Sequence, residues 1–539
     1  MNIKKAALLM LVFAVLLPLT SCKKGISKKS GKTIQYHLAA EPVTLDPQVA
    51  SDSPSITAIQ ALFEGLTRLD ASGKAYPGVA EQWKHNDNYT RFTFTLRSDA
   101  QWSNKKYGSV TADDFVFAFR RALDPKTGSP TCTSLFCIRN AQKFHAGSVP
   151  AEDLGVTAKD KRTLVVDLTD SCPDFPKLAA SAPFMPCCEN FFDSTAGRYG
   201  LESKYLLGNG PFAIDGTYGW DHGKQLNLRR SSRYHGQKVP LPSAVDFSMG
   251  KKTVDVSDPV AALKNGTVDA IEVSSEQAVS AKESGCSLES FLNSTWGLCF
   301  NTKSELFQNE KIRRAFLQSL NRTAVLSHLP NNCSAAGNIL LPGTTLNGYD
   351  YRSTAGGPFY LKQDANAART LSEGLKETGL SKMKSFAVLC PDDSSIKLIL
   401  NEMISSWNSQ FDTYFNMEPL KESELLSRVE SGNFEAALYP VTPSGNNPLE
   451  VLSMFSSDSA DNPAKLQDSA YDAIITDAQA KSGNAAVQAY AKAERYLNEH
   501  AVFYPLYYEK KYYALAKGVT GIVFHPYQGC IDFISATKE

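Results

Sequence analysis

The 539-residue sequence has no excess of charge of either sign, because its 56 Lys and Arg residues are balanced by 56 Asp and Glu residues. This balance argues against a nucleic-acid partner, which a basic protein surface would favour. Apolar residues make up 42% of the chain and charged residues 21%. That composition is typical of a globular protein and excludes a largely disordered one. The sequence also contains no internal repeat.

Motifs of metal sites and hydrolases are missing as well. The eight histidines include no H-x-x-x-H pair and the eleven cysteines include no C-x-x-C pair, so we expect neither a metal nor another cofactor. No G-x-S-x-G or H-E-x-x-H motif is present, which argues against an enzyme. Catalytic triads that arose by convergence escape such a search. An exported hydrolase therefore stays open as an alternative, and cleavage of a bound peptide would reveal it.

Long apolar runs are absent except at the N-terminus. Ala6–Leu19 follows Lys4 and Lys5 and is too short for an ordinary spanning helix, so residues 1–21 are predicted to be a secretory signal peptide. The sequence LTSC ending at Cys22 fits the lipobox of bacterial lipoproteins, in which the cysteine becomes an acylated N-terminus. We therefore expect a protein of the periplasm or cell envelope, held on a membrane through lipidated Cys22. The alternatives are a plain signal peptide with an unmodified cysteine, or an uncleaved anchor.

The mature chain is long enough for more than one core. Residues 22–32 are basic and contain Gly and Ser, which predicts a flexible tether. The chain that follows is well above the size that one hydrophobic core usually serves, so at least two lobes are expected. Ten cysteines remain after Cys22, and the sequence does not decide how they pair.

Hydrophobic periodicity changes along the chain, which predicts a mixed α/β protein. Tyr89–Arg97 alternates apolar and polar side chains, as a strand with one buried face does. A helix is predicted over Asn484–Asn498, followed by a strand-like run at Val502–Tyr508.

A further helix is predicted after Asn309, whose side chain is a good N-cap. Ile312 and Phe316 lie on its apolar stripe. Arg313 and Arg314 are expected to face water on the opposite side.

Residues 77–125 carry a series of spaced motifs: P-x-x-A-x-x-W from Pro77, F-x-L-R ending at Arg97, W-S-N from Trp102 and T-A-x-D from Thr111. Other motifs flank them in a fixed order, namely EPVTLDP at 41–47, LFEGL at 62–66, LGNGPF at 207–212 and a long match over 300–326. In this order, the motifs resemble those of the large extracytoplasmic solute-binding proteins (family 5) that serve ATP-driven oligopeptide and dipeptide importers.

The resemblance implies an α/β, bilobed fold of the periplasmic-binding-protein type (class II), with a ligand cleft between the lobes and an extra inserted subdomain. The expected segments are a discontinuous lobe I over 33–75, 200–290 and 506–539, an inserted subdomain over 76–199, and a lobe II over 291–505. It also implies a monomer that performs no bond chemistry. Such a protein captures a peptide or peptide-like ligand in the cleft and delivers it to the transmembrane permease subunits of an ABC importer.

The resemblance also implies which residues line the cleft. Ser51, Asp52 and Ser53 lie where one lobe pairs with the peptide backbone. A strand of the other lobe brings a second group of predicted contacts, which are Tyr439, Val441 and Thr442.

Four aromatic residues complete the predicted ligand contacts. Phe117 occupies a position that is often Tyr in peptide binders, and Trp296 could line the cleft near the hinge. Packing in a core is the alternative for both residues. Tyr507 and Tyr508 match an aromatic pair near the last crossing between lobes. Because neighbours on a strand face opposite sides, only one of the two tyrosines should reach the ligand.

The segment Phe434–Pro448 departs from the family pattern. Oligopeptide binders typically have an Asp there that pairs with the α-ammonium group of the peptide, whereas the next acid here is Glu450. Pro440 also removes a strand N–H donor. Either Asp52 or Glu41 supplies the missing charge, or the protein prefers modified peptides, such as γ-glutamyl or cell-wall peptides, or another small solute. A surface adhesin, whose binding would survive blocking of the cleft, is the alternative from another class.

Overall fold

The computed structural model describes residues 31–250, 254–346, 349–380, 382–443, 445–481, 483–526 and 530–539. The predicted signal peptide, Cys22 and nearly all of the tether lie outside these ranges, as does Ser444.

A twelve-stranded mixed sheet runs through the whole molecule. From one edge to the other, its main path consists of Asn416–Leu420, Ala387–Pro391, Ala436–Val441, Ser287–Phe300, Phe503–Leu515, Ala270–Val273, Thr33–Leu38, Ala244–Met249, Gln225–Arg230 and Phe212–Ile214. Two short strands are attached beside this path: Cys333–Ala335 pairs with Phe503–Leu515, and Trp220–Asp221 pairs with Gln225–Arg230.

Two long antiparallel strands, Ser287–Phe300 and Phe503–Leu515, lie in the middle of the sheet and are called the crossing strands below. One end of the pair joins Ala436–Val441, and the other end joins Ala270–Val273. The crossing strands therefore connect the two halves of the sheet without an intervening loop.

Buried apolar residues form two main cores, one on each side of the crossing point. The first core gathers side chains from residues 34–286 and 513–536, and the second gathers side chains from residues 296–507. The predicted bilobed α/β fold is thus confirmed, and the two halves are called the first and second lobes. The boundary between the first lobe and its inserted subdomain stays a prediction, because both share the first core.

Smaller sheets surround the large one. A four-stranded antiparallel sheet within residues 80–167 has the order Ala80–His85, Arg91–Leu96, Thr163–Asp167 and Val156–Asp160. The remaining strands form hairpin-like pairs, which are Thr67–Leu69 with Ala75–Pro77, Thr345–Leu346 with Tyr349–Asp350, Val519–Thr520 with Thr537–Lys538, and Val523–Phe524 with Ile531–Asp532.

Helices cover the sheets in both lobes. Those of the first core are Ser53–Leu62, Ala112–Leu123, Ala141–His145, Phe175–Leu178, Glu189–Ser194, Pro259–Lys264 and Ser275–Glu283. Those of the second are Glu310–Gln318, Arg322–Leu326, Tyr351–Ala355, Ala367–Thr378, Ser394–Phe411, Glu422–Glu430, Pro448–Leu452, Ser469–Gln479 and Gly483–Glu499. Within the described ranges, none of the helices combines the length and the apolar character that crossing a membrane requires.

The locally predicted elements are confirmed with small shifts at their ends. The alternating strand spans Arg91–Leu96 and buries Phe92, Phe94 and Leu96. Tyr89 is left out of it because its φ of 53° belongs to a turn. The helix predicted near the C-terminus spans Gly483–Glu499, and the strand after it is longer than predicted.

Arg313 lies in the core rather than in water. Asn309 caps its helix as predicted, accepting a hydrogen bond from Ile312 N at 3.2 Å. The prediction that Arg313 faces solvent is wrong, because its guanidinium donates to the carbonyls of Phe307 at 2.7 Å and His500 at 2.9 Å. These carbonyls replace water as acceptors, while burial lowers the pKa of Arg313 to about 10. Arg314 is partly exposed.

Candidate functional site: the cleft between the lobes

Parallel strands in each lobe end at the same gap. In the first lobe Thr33–Leu38 runs parallel to Ala244–Met249, and in the second Ala387–Pro391 runs parallel to Asn416–Leu420. Residues that follow these strands, namely Ala39 in the first lobe and Asp393 and Glu422 in the second, line one common cavity. The carboxyl ends of parallel strands are where open α/β sheets bind ligands. The gap between the lobes is therefore the candidate site.

One cavity in this gap, the Glu509 cavity, has a volume of about 760 Å³. The crossing strands supply Asn293 and Glu509 to its wall. Residues of both lobes complete the wall, among them Leu38, Ser53, Glu272, Ser274, Asp393 and Glu422. Its volume is within the range of sites for small ligands.

A second cavity of about 580 Å³, the Asn447 cavity, also lies between the lobes. Gln60 and Asp174 line it from the first core, and Thr345, Asn446 and Asn447 line it from the second. Asn446 Oδ1 accepts a hydrogen bond from Thr345 N at 3.1 Å, and Asn447 caps the helix Pro448–Leu452. Asn446 and Asn447, which belong to the segment without the expected acid, therefore support the local backbone.

The predicted contacts on the crossing strands form a packed aromatic layer. Trp296 stacks on Tyr507 with ring centroids 6.1 Å apart, and both side chains are buried. Tyr508 points to the other face, where it packs with Ala336 and Leu341. The two tyrosines thus face opposite sides as predicted. Contact of any of the three rings with a ligand stays a prediction.

Glu509 follows these tyrosines and faces the cavity named after it. Its Oε2 accepts hydrogen bonds from Trp296 Nε1 at 2.7 Å and from Ser294 Oγ at 3.4 Å. Burial raises the pKa of Glu509, and the carboxylates of Glu422 and Asp393 add to that rise, while the hydrogen bond from Trp296 opposes it. The Glu509 carboxyl group is therefore held in one orientation and is partly shielded from water.

Ser51, Asp52 and Ser53 lie at the start of the helix Ser53–Leu62. Asp52 is its N-cap and accepts from Ser55 N at 2.9 Å, while Ser53 lines the Glu509 cavity. Ser51 and Ser53 are exposed. Their role as ligand contacts stays a prediction.

Glu41 is already occupied by local donors. Its carboxylate accepts hydrogen bonds from Trp220 Nε1 at 2.8 Å, His222 Nδ1 at 2.9 Å and Gly223 N at 2.7 Å. These contacts tie Glu41 to an edge of the first lobe. Of the two acids considered for the ligand amine, neither lines the Glu509 cavity, but Asp52 directly precedes Ser53, which does.

A buried ion pair anchors the segment that leads to Ser51. Arg121, on the helix Ala112–Leu123, pairs with Asp46, and its Nη1 lies 2.7 Å from Asp46 Oδ2. Gln48 also accepts from Arg121 and donates to Met185 O at 2.9 Å. The helix Ala112–Leu123 therefore anchors the segment that leads to Ser53 in the Glu509 cavity.

The strand Ala436–Val441 has a partly open edge. One edge pairs along its length with a crossing strand, whereas on the other edge only Ala436 and Ala437 pair, with the strand Ala387–Pro391. Leu438–Val441 therefore has no second ladder partner among the residues that the structure describes. Pro440 is compatible with such an edge because proline donates no hydrogen bond.

Side chains on this strand point into the second core. Tyr439 and Val441 are buried, whereas Thr442 just beyond the strand is exposed. Their predicted ligand contacts would therefore involve main-chain atoms at Tyr439 and Val441, and a side chain only at Thr442.

Phe117 lines a separate hollow of about 700 Å³, whose lining residues all lie between 46 and 199. Its ring packs edge-on against Phe192 at 5.7 Å. The structure does not bring Phe117 together with the residues of the Glu509 and Asn447 cavities. Its role as a ligand contact stays a prediction.

Sequence reasoning missed Glu509 and Arg121. A single acid directly after Tyr507 and Tyr508, where an aromatic and apolar run ends, was the available signal for Glu509. Nothing local marked Arg121, because its partner Asp46 lies 75 residues away in the chain.

Two lobes joined by crossing strands, with a cleft at the carboxyl ends of parallel strands, define the class of two-lobed binding proteins. Residues 74–463 match the family model described as bacterial extracellular solute-binding proteins, family 5 middle. The chain belongs to this family, as its motifs predicted.

Relatives of similar length support the assignment. The chain is 26% identical over 517 residues to the dipeptide-binding protein DppE of Bacillus subtilis (strain 168), covering 95% of this chain and 93% of that protein. It is 26% identical over 491 residues to the periplasmic murein peptide-binding protein MppA of Escherichia coli (strain K12), with coverage of 87% and 86%. The crystal structure of an oligopeptide ABC transporter substrate-binding domain from Bacillus anthracis superimposes with a TM-score of 0.75 at 26% identity, covering 94% and 98% of the two chains.

Proposed function

We propose that this protein is the peptide-binding component of an ABC importer, which captures peptides between its lobes and delivers them to a membrane permease. The observation that carries this proposal is the open edge of Leu438–Val441, whose last residue lies opposite Thr295, next to the Ser294 that bonds to Glu509. Peptide-binding relatives of nearly the same length support it.

An extended peptide can bind there as an added strand. Its main chain would pair with carbonyl and amide groups of the open edge, and alternate side chains would project into the two cavities. The exposed residues Ser51 and Ser53 offer a second set of polar groups on the opposite lobe. Main-chain pairing gives affinity for many sequences, since every peptide has the same backbone.

Delivery requires a difference between the empty and the loaded protein. Closure of the lobes about the crossing strands would bury the peptide and bring the outer surfaces of both lobes to a new spacing. A permease that recognises this spacing would select loaded monomers. No bond of the peptide is broken in this cycle, so a bound peptide should be recovered intact.

The first prediction concerns peptide binding itself. Mature protein, unfolded and refolded to strip carried-over ligand, should be stabilised by short peptides in a thermal-shift assay. A ligand that binds only the folded state at a hundredfold excess over its Kd adds ~2.7 kcal/mol to the free energy of unfolding. The panel pairs each free peptide with its N-acetylated form and adds γ-glutamyl and cell-wall peptides. Absence of a shift with every peptide would overturn the proposed function.

A second prediction concerns the membrane anchor. We expect Cys22 to carry acyl chains that hold the protein on the cell envelope, because more than one chain is needed for stable anchoring. Cells fed a labelled fatty acid should incorporate label into the wild-type protein and not into Cys22→Ser. The control Cys530→Ser, near the other end of the chain, should keep the label. Equal labelling of Cys22→Ser and wild type would place the modification elsewhere.

A further inference from the structure

Glu509 is an acid whose charge no residue balances. No Lys, Arg or His of the described residues lies within ion-pair distance of its carboxylate, although 25 other such contacts are present. Both of its hydrogen bonds go to Oε2, and no donor to Oε1 is found in the part of the chain that the structure describes. One oxygen of the carboxylate is thus left for a donor that the protein itself does not provide.

The charges around Glu509 do not offset it. Asp393 and Glu422 line the same cavity from the second lobe and add negative charge. Lys511 is paired with Glu272 at 2.8 Å. Burial lowers the pKa of His37, so this ring is neutral at neutral pH. Lys510 also lines the cavity, but the acids of the wall, which are Glu272, Glu276, Asp393, Glu422 and Glu509, outnumber its two lysines. The wall therefore carries a net negative charge.

Trp296 fixes the direction of the carboxylate. The indole is buried, stacks on Tyr507 and donates to Oε2. A carboxylate held on one oxygen by a rigid donor presents its other oxygen in a set direction. Such pre-organisation lowers the entropy lost when a ligand binds.

A metal ion does not fit this place. Across the described ranges, no three His, Cys, Asp or Glu side chains are grouped closely enough to hold a metal. An organic cation needs only one carboxylate, because an ammonium group donates three hydrogen bonds and can share them with neighbouring acceptors.

We propose that Glu509 selects ligands by pairing with a positively charged amine of the bound peptide, held in the Glu509 cavity. This inference rests on the proposed peptide-binding function and adds that the site recognises an amine of the ligand. The α-ammonium group of a short peptide and the side-chain amine of a lysine-like residue share this chemistry. Trp296 is a positioning residue for the carboxylate.

The test is a binding comparison of Glu509→Gln with wild type, using the free and N-acetylated peptides that stabilise the wild-type protein. Glutamine keeps an oxygen for Trp296 and removes the charge. Loss of a charge-assisted hydrogen bond should weaken binding of free-amine peptides roughly 10- to 100-fold. Binding of peptides acetylated at every amine should change little. Binding of peptides that are acetylated only at the α-amine, or only at a lysine side chain, shows which of the two amines pairs with Glu509.

The control is Glu289→Gln, which removes an exposed acid from the other crossing strand and should leave both affinities unchanged. Trp296→Phe should weaken the binding of free-amine peptides by a smaller factor than Glu509→Gln does, because the carboxylate stays but no longer accepts a hydrogen bond from the indole. An equal loss for free and fully acetylated peptides, or no loss, would overturn the role of Glu509. If wild type binds no peptide, the proposed function itself fails. Peptide binding by the wild-type protein thus tests the proposed function. The ratio of the affinities for free and fully acetylated peptides, compared between Glu509→Gln and wild type, tests the role of Glu509.

Discussion

Replacement of Arg121 by methionine should destabilise the first lobe by about 3–5 kcal/mol. The Arg121 and Asp46 side chains are only 8% and 7% exposed, so the change leaves the Asp46 carboxylate buried without its counter-ion. Gln48 loses the same partner. A protein with two cores need not unfold in one step, so the measurement is hydrogen exchange of peptides covering residues 44–53 and 112–123 in increasing urea. These peptides should exchange through an opening that costs less free energy than in wild type.

Two further variants separate the charge effect from the loss of packing. Arg121→Met combined with Asp46→Leu should recover much of the lost stability, because no buried charge is then left unpaired. Arg139→Met removes an exposed arginine of the first lobe, 3.3 Å from Asp167, and should cost at most about 1 kcal/mol. Similar losses for Arg121→Met and Arg139→Met would contradict the anchoring role of the buried pair.

Phe316→Ala should destabilise the second lobe by about 3–5 kcal/mol. The Phe316 ring is fully buried at the centre of an aromatic cluster. Its neighbours, with centroids 5.1–6.2 Å away, are Phe300, Phe307, Phe386, Trp407, Phe411 and Phe415. Truncation removes the contacts of all six rings at once and leaves a cavity that rigid rings cannot easily fill. Hydrogen exchange of the peptide covering 310–318 measures the loss.

The matched control is Leu398→Ala on the neighbouring helix Ser394–Phe411. Its side chain is 51% exposed, so the change should stay within about 0.5 kcal/mol. Exchange in the first lobe should be unaffected by Phe316→Ala, because the two cores are separate. An equal loss of protection in both lobes would show that the cores unfold as one unit.

Local elements followed from the sequence because their signals are local. Asn309 caps a helix by bonding three residues ahead, and alternation within Arg91–Leu96 depends on adjacent side chains alone. The two-lobed fold followed from ordered motifs. Arg313 could not be placed correctly, since the His500 carbonyl that receives its guanidinium lies 187 residues away.

The position of the candidate site was predictable from the sequence, but the acid that gives it its charge was not. Motifs placed Ser53 beside the cleft, and the missing acid in the segment after Val441 was visible in the sequence. The sequence did not show that Glu41 is occupied by Trp220, His222 and Gly223. Which acid remains free depends on pairings between distant segments, and only the folded chain shows them.

The continuity of the crossing strands has a mechanical consequence. Any rotation of one lobe against the other has to twist these strands, since no loop interrupts them. Their register shifts between Leu292 and Ser294 and again between Trp296 and Gly297, and such irregularities bend and twist a strand pair locally. Glu509 lies opposite Ser294, at the first shift. A group bound by Glu509 would thus act on the torsion axis itself, where a small turn becomes a large displacement at the far ends of both lobes.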